Sequence, residues 1–295
     1  MDPEALRKQY LAEIEAAEPL PEESAEAVAA YARSDRPDEA KMCEMIATMR
    51  LDGDNYETGV RTLLDILGND SLPTQPRLRA LEQISAAAFQ PVEFAQFHPE
   101  FVDLLRRLAL HVDGDIRLAV FDRLTLIGDP EAQKLLRESL QNLRAQLLPV
   151  ARAVQLLARD DHGSGLPIFR ELAVKAAGEV REQALRALAT DTRSASLFEA
   201  LAARKDEISE IRHIAMANLK NTSASRFAQL ARKLVLDDDD DDKLRAAAVS
   251  AITHTREVAE KVTPRFASAV ESIGSGTKSR ALKASIGRFS KLLGR

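Results

Sequence analysis

Histidine is the side chain of this sequence best suited to bind a metal or move a proton near neutral pH, and the chain has 5 of them. None lies four residues from another histidine or from the single cysteine, which is the spacing that places two zinc ligands on one helix face. We therefore predict no metal site, no cofactor and no catalytic residue. The histidines are His98, His111, His162, His213 and His254.

A glycine-rich segment at 274–279 superficially resembles a phosphate-binding loop. Such a loop has lysine directly after its last glycine, but here Thr277 separates Gly276 from Lys278, and a helical pattern precedes the segment instead of a strand. Cys43 lies in an apolar helical stretch, which favours a core thiol over a nucleophile. These signals predict a protein that is not an enzyme.

Six consecutive aspartates, Asp237 to Asp242, are the most unusual local feature of the chain. One interpretation is a solvated loop whose last acids cap the following helix and offset its positive end. The other is a contact for a basic partner or a weak site for a divalent ion. An uninterrupted acidic run lacks the spaced ligands of an EF-hand, which argues against calcium specificity.

Composition indicates a folded, soluble, intracellular chain. Of the 295 residues, 45% are hydrophobic and 29% charged, which is typical of a globular protein. No apolar run reaches the roughly 18 to 20 residues that a transmembrane helix needs, and the acidic start does not read as a signal peptide. One cysteine excludes an intrachain disulfide, and we expect a cytoplasmic location.

Charge is unevenly distributed along the chain. The formal net charge is -5, yet residues 1–60 hold 15 acidic against 6 basic side chains, and residues 274–295 hold 6 basic side chains and no acid. The tail can be interpreted as the second helix of a last repeat, or as a basic amphipathic helix for an anionic membrane surface or nucleic acid. Its candidate partner-binding residues are Lys278, Arg280, Lys283, Arg288 and Lys291.

The chain repeats a short pattern in which an apolar residue precedes an arginine, and further apolar or small residues follow three and seven positions later. Units anchored at 77, 117, 150, 181, 212 and 245 are separated by 40, 33, 31, 31 and 33 residues. Position 150 carries valine in place of arginine. Self-similarity at such a period is typical of a helical repeat protein.

Each unit is predicted to be two antiparallel helices. The apolar offsets around the anchor lie on one helical face, and a second apolar stripe upstream marks the first helix of the pair. One hairpin cannot bury both its faces, so neighbouring pairs must complete the core. The prediction is an all-α fold with a helical cap at 1–20, repeats over 22–273 and a basic helix at 274–295, all in one domain spanning 1–295.

The units resemble HEAT repeats, especially the short kind found in phycobilisome-lyase-like proteins. The resemblance implies a right-handed superhelical solenoid of about eight helix pairs, with the second helices on the concave side. It also implies a ladder of acids and arginines between adjacent repeats. The residues assigned to that ladder are Asp115, Arg117, Glu179, Arg181, Glu210, Arg212, Asp242 and Arg245.

Three functions compete. The first is a scaffold or adaptor that binds a protein or peptide on the concave surface, with Arg186 and His213 as candidate contacts. The second is nucleic-acid binding or base repair, which is disfavoured because tryptophan is absent and acids such as Asp122 and Glu182 lie near the ladder. The third is an enzyme of the phycobilin-lyase kind, for which the sequence supplies no catalytic residue.

Overall fold

The computed structural model describes residues 3–16, 22–142, 146–160 and 162–292. This part of the chain is helical, and its only β-type pairing is one isolated bridge between Glu23 and Met49. The all-α prediction is therefore confirmed for the residues that are described. The chain divides into two compact units, Met1–Ala132 and Gln133–Arg295, whereas the sequence predicted a single domain.

The first unit is built from helices that pair in chain order. Helix α2 packs on α3, α4 on α5, and α7 on α8; α2 also contacts α4, and α3 contacts α5, so that first and second helices form two layers. The helices are α1 (Pro3–Ala16), α2 (Ala25–Ala32), α3 (Glu39–Ala47), α4 (Asn55–Gly68), α5 (Thr74–Ala87), α6 (Pro91–Phe94), α7 (His98–Leu108) and α8 (Gly114–Leu126). Helix α9 (Pro130–Gln141) contains the boundary between the units.

The second unit repeats this plan. Helix α11 packs on α12, α13 on α14, α15 on α16, and α18 on α19, while the second helices α10, α12, α14, α16 and α19 contact one another in that order. The helices are α10 (Val150–Leu157), α11 (Leu166–Lys175), α12 (Gly178–Ala187), α13 (Ala195–Ala203), α14 (Ser209–Thr222), α15 (Ala224–Leu236), α16 (Asp242–His254), α17 (Arg256–Ala259), α18 (Pro264–Gly276) and α19 (Arg280–Leu292).

The repeating apolar positions form the core, as the periodicity predicts. In α14, Ile211, Ala215 and Leu219 are 2%, 0% and 0% exposed. The same three positions of α16 hold Leu244, Ala248 and Ile252, which are equally buried. A fully buried leucine or isoleucine contributes about 1.5 to 3 kcal/mol relative to an exposed one, so this stripe is the main force that joins each second helix to its neighbours.

Side-chain caps fix where several helices begin. The carboxylate of Asp113 accepts hydrogen bonds from the backbone amides of Asp115 and Ile116 at the start of α8. Asp129 accepts one from the amide of Ala132, directly before the proline that opens α9, as the Asp-Pro-Glu sequence predicts. Thr263 caps α18 in the same way.

Residues 89–97 form the insertion that lengthens one repeat to 40 residues. From the sequence, an insertion of this kind is expected to protrude as a loop, whose phenylalanines either pack inward or form a contact patch. Instead of an open loop, the segment contains the short helix α6. Phe94 and Phe97 are 3% and 1% exposed, whereas Phe89 is 83% exposed. Phe94 packs edge-on against Phe101 with ring centroids 5.7 Å apart, which anchors the insertion to α7.

Candidate functional site

The anchor arginines lie in the first turns of the second helices, and all of them except Arg117 reach back to the preceding first helix. Each of these four donates a hydrogen bond from its guanidinium to a carbonyl near the C-terminal end of that helix, where four carbonyls lack helical partners and the helix dipole is negative. The Nε–O distances are 3.0 Å for Arg77 to Leu67, 3.0 Å for Arg181 to Ala173, 3.0 Å for Arg212 to Ala202 and 3.3 Å for Arg245 to Val235.

Two of these arginines also bind an acid from the next helix pair. Arg181 donates to both carboxylate oxygens of Glu207 at 3.1 and 2.9 Å, and Arg212 donates to both oxygens of Asp240 at 2.7 Å. Paired, planar contacts of this kind are the strongest hydrogen bonds between charged side chains. One guanidinium therefore connects the two helices of its own pair to the loop of the following pair.

These ion pairs change the titration of the acids. The hydrogen bonds from Arg181 hold the pKa of Glu207 below its usual value. Burial alone would raise the pKa of Asp240, but the hydrogen bonds from Arg212 and from the Asp241 amide outweigh it, so this pKa is also lowered. Both carboxylates are consequently ionised at neutral pH and remain paired with the arginines.

The acids that the sequence assigned to this ladder lie elsewhere. Glu210 binds an arginine of the preceding repeat, but that arginine is Arg186 at 2.9 Å and not the anchor Arg181, which binds Glu207. Glu179 and Asp115 are exposed. Among the assigned acids, Asp242 does approach its arginine, with its Oδ1 3.1 Å from Arg245.

Arg117 and Arg245 differ from the other anchor arginines. Arg117 donates to the carbonyls of His111 and Val112 in the loop before α8, at 2.6 and 2.8 Å. Arg245 binds Asp238 at 2.6 Å, which belongs to the loop of its own pair. The next loop, at 277–279, offers Thr-Lys-Ser and no acid, so Arg245 has no carboxylate to bind there.

The run of aspartates is part of this ladder. Lys205 lies 2.7 Å from Asp237 and holds its pKa below the usual value. The side chain of Asp241 caps α16 by accepting from the amides of Lys243 and Leu244. With Asp238 and Asp242 on Arg245, and Asp240 on Arg212, most of the run has a structural partner. Within the described residues, no group of three or more metal-ligating side chains could hold a metal ion.

A second set of ion pairs, which the sequence did not reveal, joins first helices to the loops that follow the second helices. Arg106 of α7 binds Asp129 at 2.7 Å, and Arg170 of α11 binds Asp191 at 2.7 Å. The hydrogen bond from Arg170 lowers the pKa of Asp191. The only signal for this set is the repeated Leu-Ala-x-Asp ending at Asp160 and Asp191, both of whose amides bond the carbonyl three residues earlier.

Two sequence candidates have structural roles. In the first unit, Nδ1 of His111 accepts a hydrogen bond from the Asp113 amide, and its Nε2 lies 3.1 Å from Nη1 of Arg77 and 3.3 Å from Asp70. Asp70 in turn binds Arg77 at 2.8 Å. Cys43, predicted as a core thiol, is only half-buried. This burial raises the pKa of its thiol, which makes it a poorer nucleophile at neutral pH.

In the second unit, one side of the second helices is exposed to solvent. The charge of this exposed side changes from helix to helix. On α12 and α14 the exposed residues include Glu179, Arg186 and Glu210; on α16 they include Lys243. His213 is partly exposed, with its Nδ1 2.8 Å from the carbonyl of Ser209. The two predicted concave contacts therefore lie on neighbouring helices, where Arg186 is engaged with Glu210.

The predicted basic helix is the second helix of the last pair. Leu282, Ile286 and Phe289 are buried against α16 and α18, with Phe289 edge-on to Phe266 at 6.3 Å. The apolar face of α19 is thus occupied by the fold. The predicted contacts Lys278, Arg280, Lys283, Arg288 and Lys291 are all exposed.

A cleft of about 420 Å³ lies beside Arg245, lined by Asp238, Asp242 and the C-terminal end of α18 from Ser272 to Thr277. It is polar and open, and its charged groups already bind one another. No helix in the described residues is long and apolar enough to cross a membrane. A scan against protein-family models found no matching family, and a search of curated proteins found no relative.

Proposed function

We propose that this protein is a scaffold or adaptor of HEAT-like helix pairs that binds a protein or peptide along its second helices. In this proposal the pairs follow one another as a right-handed solenoid, and the exposed side of α12, α14 and α16 contacts the partner. The first helices support this layer from behind. The protein performs no reaction of its own.

The observation that carries the proposal is the continuous contact among second helices in the second unit. Helices α10, α12, α14 and α16 touch in chain order while first helices cover one side. Exposed residues remain on α12, α14 and α16, among them Arg186, Glu210 and Lys243. Extended surfaces of this kind suit a partner that is itself elongated. The exposed residues along it are mixed in charge, which fits recognition of a protein better than a uniform polyanion.

The ladder beneath the surface supplies the rigidity that such recognition needs. Arg181 and Arg212 each fix three backbone or side-chain positions at once, so the spacing between successive second helices is set by buried contacts. A surface that is already ordered loses less conformational entropy when a partner binds. This supports a preformed binding face on α12 and α14.

The test begins with the full chain as bait in a lysate of its source cells. The captured protein is identified by mass spectrometry, purified and titrated directly against this chain. Arg186→Glu together with His213→Glu should weaken binding by about tenfold or more, which corresponds to about 1.4 kcal/mol. The matched control, Arg193→Glu with Lys233→Glu, changes exposed charges that lie off the second helices, and should leave affinity within about twofold.

An equal loss of affinity in the control variant would mean that the partner recognises the overall charge of the protein and not this face. Failure to capture any protein that binds again when purified would remove the adaptor proposal.

A further inference from the structure

Helix α19 presents a basic face with no acidic counterpart of its own. No acid occurs anywhere in residues 274–295. Within the described residues, the exposed cations of this segment form no ion pair, and the only side-chain hydrogen bond among them joins Arg288 to Ser285 at 3.4 Å. This contrasts with the rest of the unit, where arginines such as Arg170, Arg181 and Arg212 are held by acids.

The cations of α19 surround two small exposed residues, Ala284 and Gly287, which we call the platform. At 3.6 residues per turn, Arg280, Ala284, Gly287 and Lys291 share the middle of the solvent side, and Lys283 and Arg288 flank it. From Arg280 to Lys291 the helix rises about 16 Å. A Cβ added at Gly287 would meet nothing within 4 Å, so the platform is open to an approaching chain.

The face does not suit a membrane. Interfacial helices bind bilayers by inserting an apolar face, but Leu282, Ile286 and Phe289 of α19 are 0%, 4% and 1% exposed. Because the apolar face is buried, only electrostatic attraction could bind this helix to anionic lipid headgroups. A flat anionic surface would also meet the acids beside the helix, because the cleft that contains Asp238 and Asp242 extends to Thr277, just before α19.

Nucleic acid fits no better. Proteins that grip single strands stack bases on exposed aromatic side chains, and the one aromatic residue of α19, Phe289, is buried. A duplex long enough to gain affinity from many phosphate contacts would run past the platform toward the aspartates. A short anionic segment avoids both difficulties, since it can end within the length of the helix.

We propose that the solvent face of α19 binds a short acidic segment of the protein partner. Its carboxylates would pair with Arg280, Lys283, Arg288 and Lys291, while its backbone lies over Ala284 and Gly287. This inference rests on the proposed function, because it specifies the chemistry of part of the same partner. It adds an electrostatic contact at one end of the second-helix layer.

The probe is a fluorescein-labelled peptide of about 14 residues that alternates glutamate with alanine, titrated with the full chain by fluorescence anisotropy. Binding should fall at least about tenfold between about 20 mM and about 200 mM salt, because exposed charges are screened. The same peptide with glutamine in place of glutamate should not bind. Lys283→Glu, Arg288→Glu and Lys291→Glu, combined, should abolish binding of the acidic peptide.

The matched control combines Arg193→Glu, Lys233→Glu and Lys261→Glu, which reverses the same number of exposed cations elsewhere in the unit. It should retain binding within about twofold. Circular dichroism confirms that both triple variants are folded. Equal loss in both variants, or no binding of the acidic peptide at low salt, would overturn the inference.

Two further arms assign the class of ligand. Vesicles containing phosphatidylserine and a short DNA duplex are titrated under the same conditions. If either binds more tightly than the acidic peptide, and the binding is lost in the α19 variant, the assignment to an acidic protein segment is wrong. If the partner captured with the full chain binds the α19 variant unchanged, this inference fails while the adaptor proposal stands.

Discussion

Arg212 and Asp240 are 28 residues apart and form a two-point ion pair with both N–O distances at 2.7 Å. Their side chains are 5% and 2% exposed. The same guanidinium donates through Nε to the carbonyl of Ala202 at 3.0 Å. The guanidinium of Arg212 thus contacts both the C-terminal end of α13 and the loop before α16, while its backbone lies in the first turn of α14. A side chain that makes both contacts explains why arginine recurs at this position of the repeat.

Replacing Arg212 with methionine should strongly destabilise the second unit. The change keeps most of the apolar stem but leaves the buried carboxylate of Asp240 without its positively charged partner, which costs about 3 kcal/mol. Urea unfolding followed by circular dichroism measures the loss. Arg204→Met is the matched control, because its pair with Asp206 is exposed and should add nothing measurable. Equal midpoints for the two variants would contradict this role.

The choice of acid in the ladder can be tested with two conservative substitutions. Glu207→Gln weakens both charged hydrogen bonds from Arg181 and should cost about 1 to 2 kcal/mol of unfolding free energy. Glu179→Gln, the acid suggested by the sequence, changes an exposed residue and should stay within about 0.5 kcal/mol of the parent protein. The reverse order of effects would restore Glu179 as the ladder residue.

The folded protein should become less stable at acidic pH. The pKa values of Asp191, Glu207 and Asp240 are lowered in the folded protein by Arg170, Arg181 and Arg212. The unfolded chain therefore binds more protons, so their contribution is complete above the unfolded values of 3.8 and 4.5 and is lost as pH falls through the folded values.

The melting temperature, followed by circular dichroism from neutral pH down to about pH 3, should drop steeply below about pH 5. Glu207→Gln removes one of these carboxylates and should make the drop shallower, whereas Glu179→Gln should not. A melting temperature that stays constant through the acidic range would show that these ion pairs do not stabilise the fold.

Two glycines provide a test of packing. A Cβ at Gly165 would lie 2.6 Å from the ring of Phe169 and 3.0 Å from Leu157, so Gly165→Ala should cost about 1 to 3 kcal/mol through overpacking. Gly287→Ala adds the same methyl group to open space inside α19 and should stabilise by about 0.5 to 1 kcal/mol. Thermal unfolding of both variants separates these cases. A Gly165→Ala variant that is as stable as the parent protein would contradict the close packing of Gly165 on Phe169.

Local periodicity is the part of this fold that the sequence predicted well. The residues three and seven positions after each anchor are buried because a helix places those offsets on one face, as Ala215 and Leu219 illustrate. The resemblance to HEAT repeats extends to a front pair over 22–33 and 37–50, and these segments correspond to α2 and α3.

The ladder acids could not be read from the same periodicity. Glu207 and Asp240 lie in loops, 26 and 28 residues after the arginines that bind them, and only the packing of successive pairs brings them close. Arg106 likewise binds Asp129, and Arg170 binds Asp191, only because the folded chain brings these residues together. The division at Ala132 left no composition signal, because it falls within α9.

Hydrogen–deuterium exchange of the full chain, measured with and without its purified partner, tests the central claim most directly. Binding along the second helices should slow exchange in the peptides of α12, α14 and α16, while the first helices α11, α13 and α15 change little. Protection confined to the first helices, or to neither layer at a saturating concentration of partner, would contradict the account.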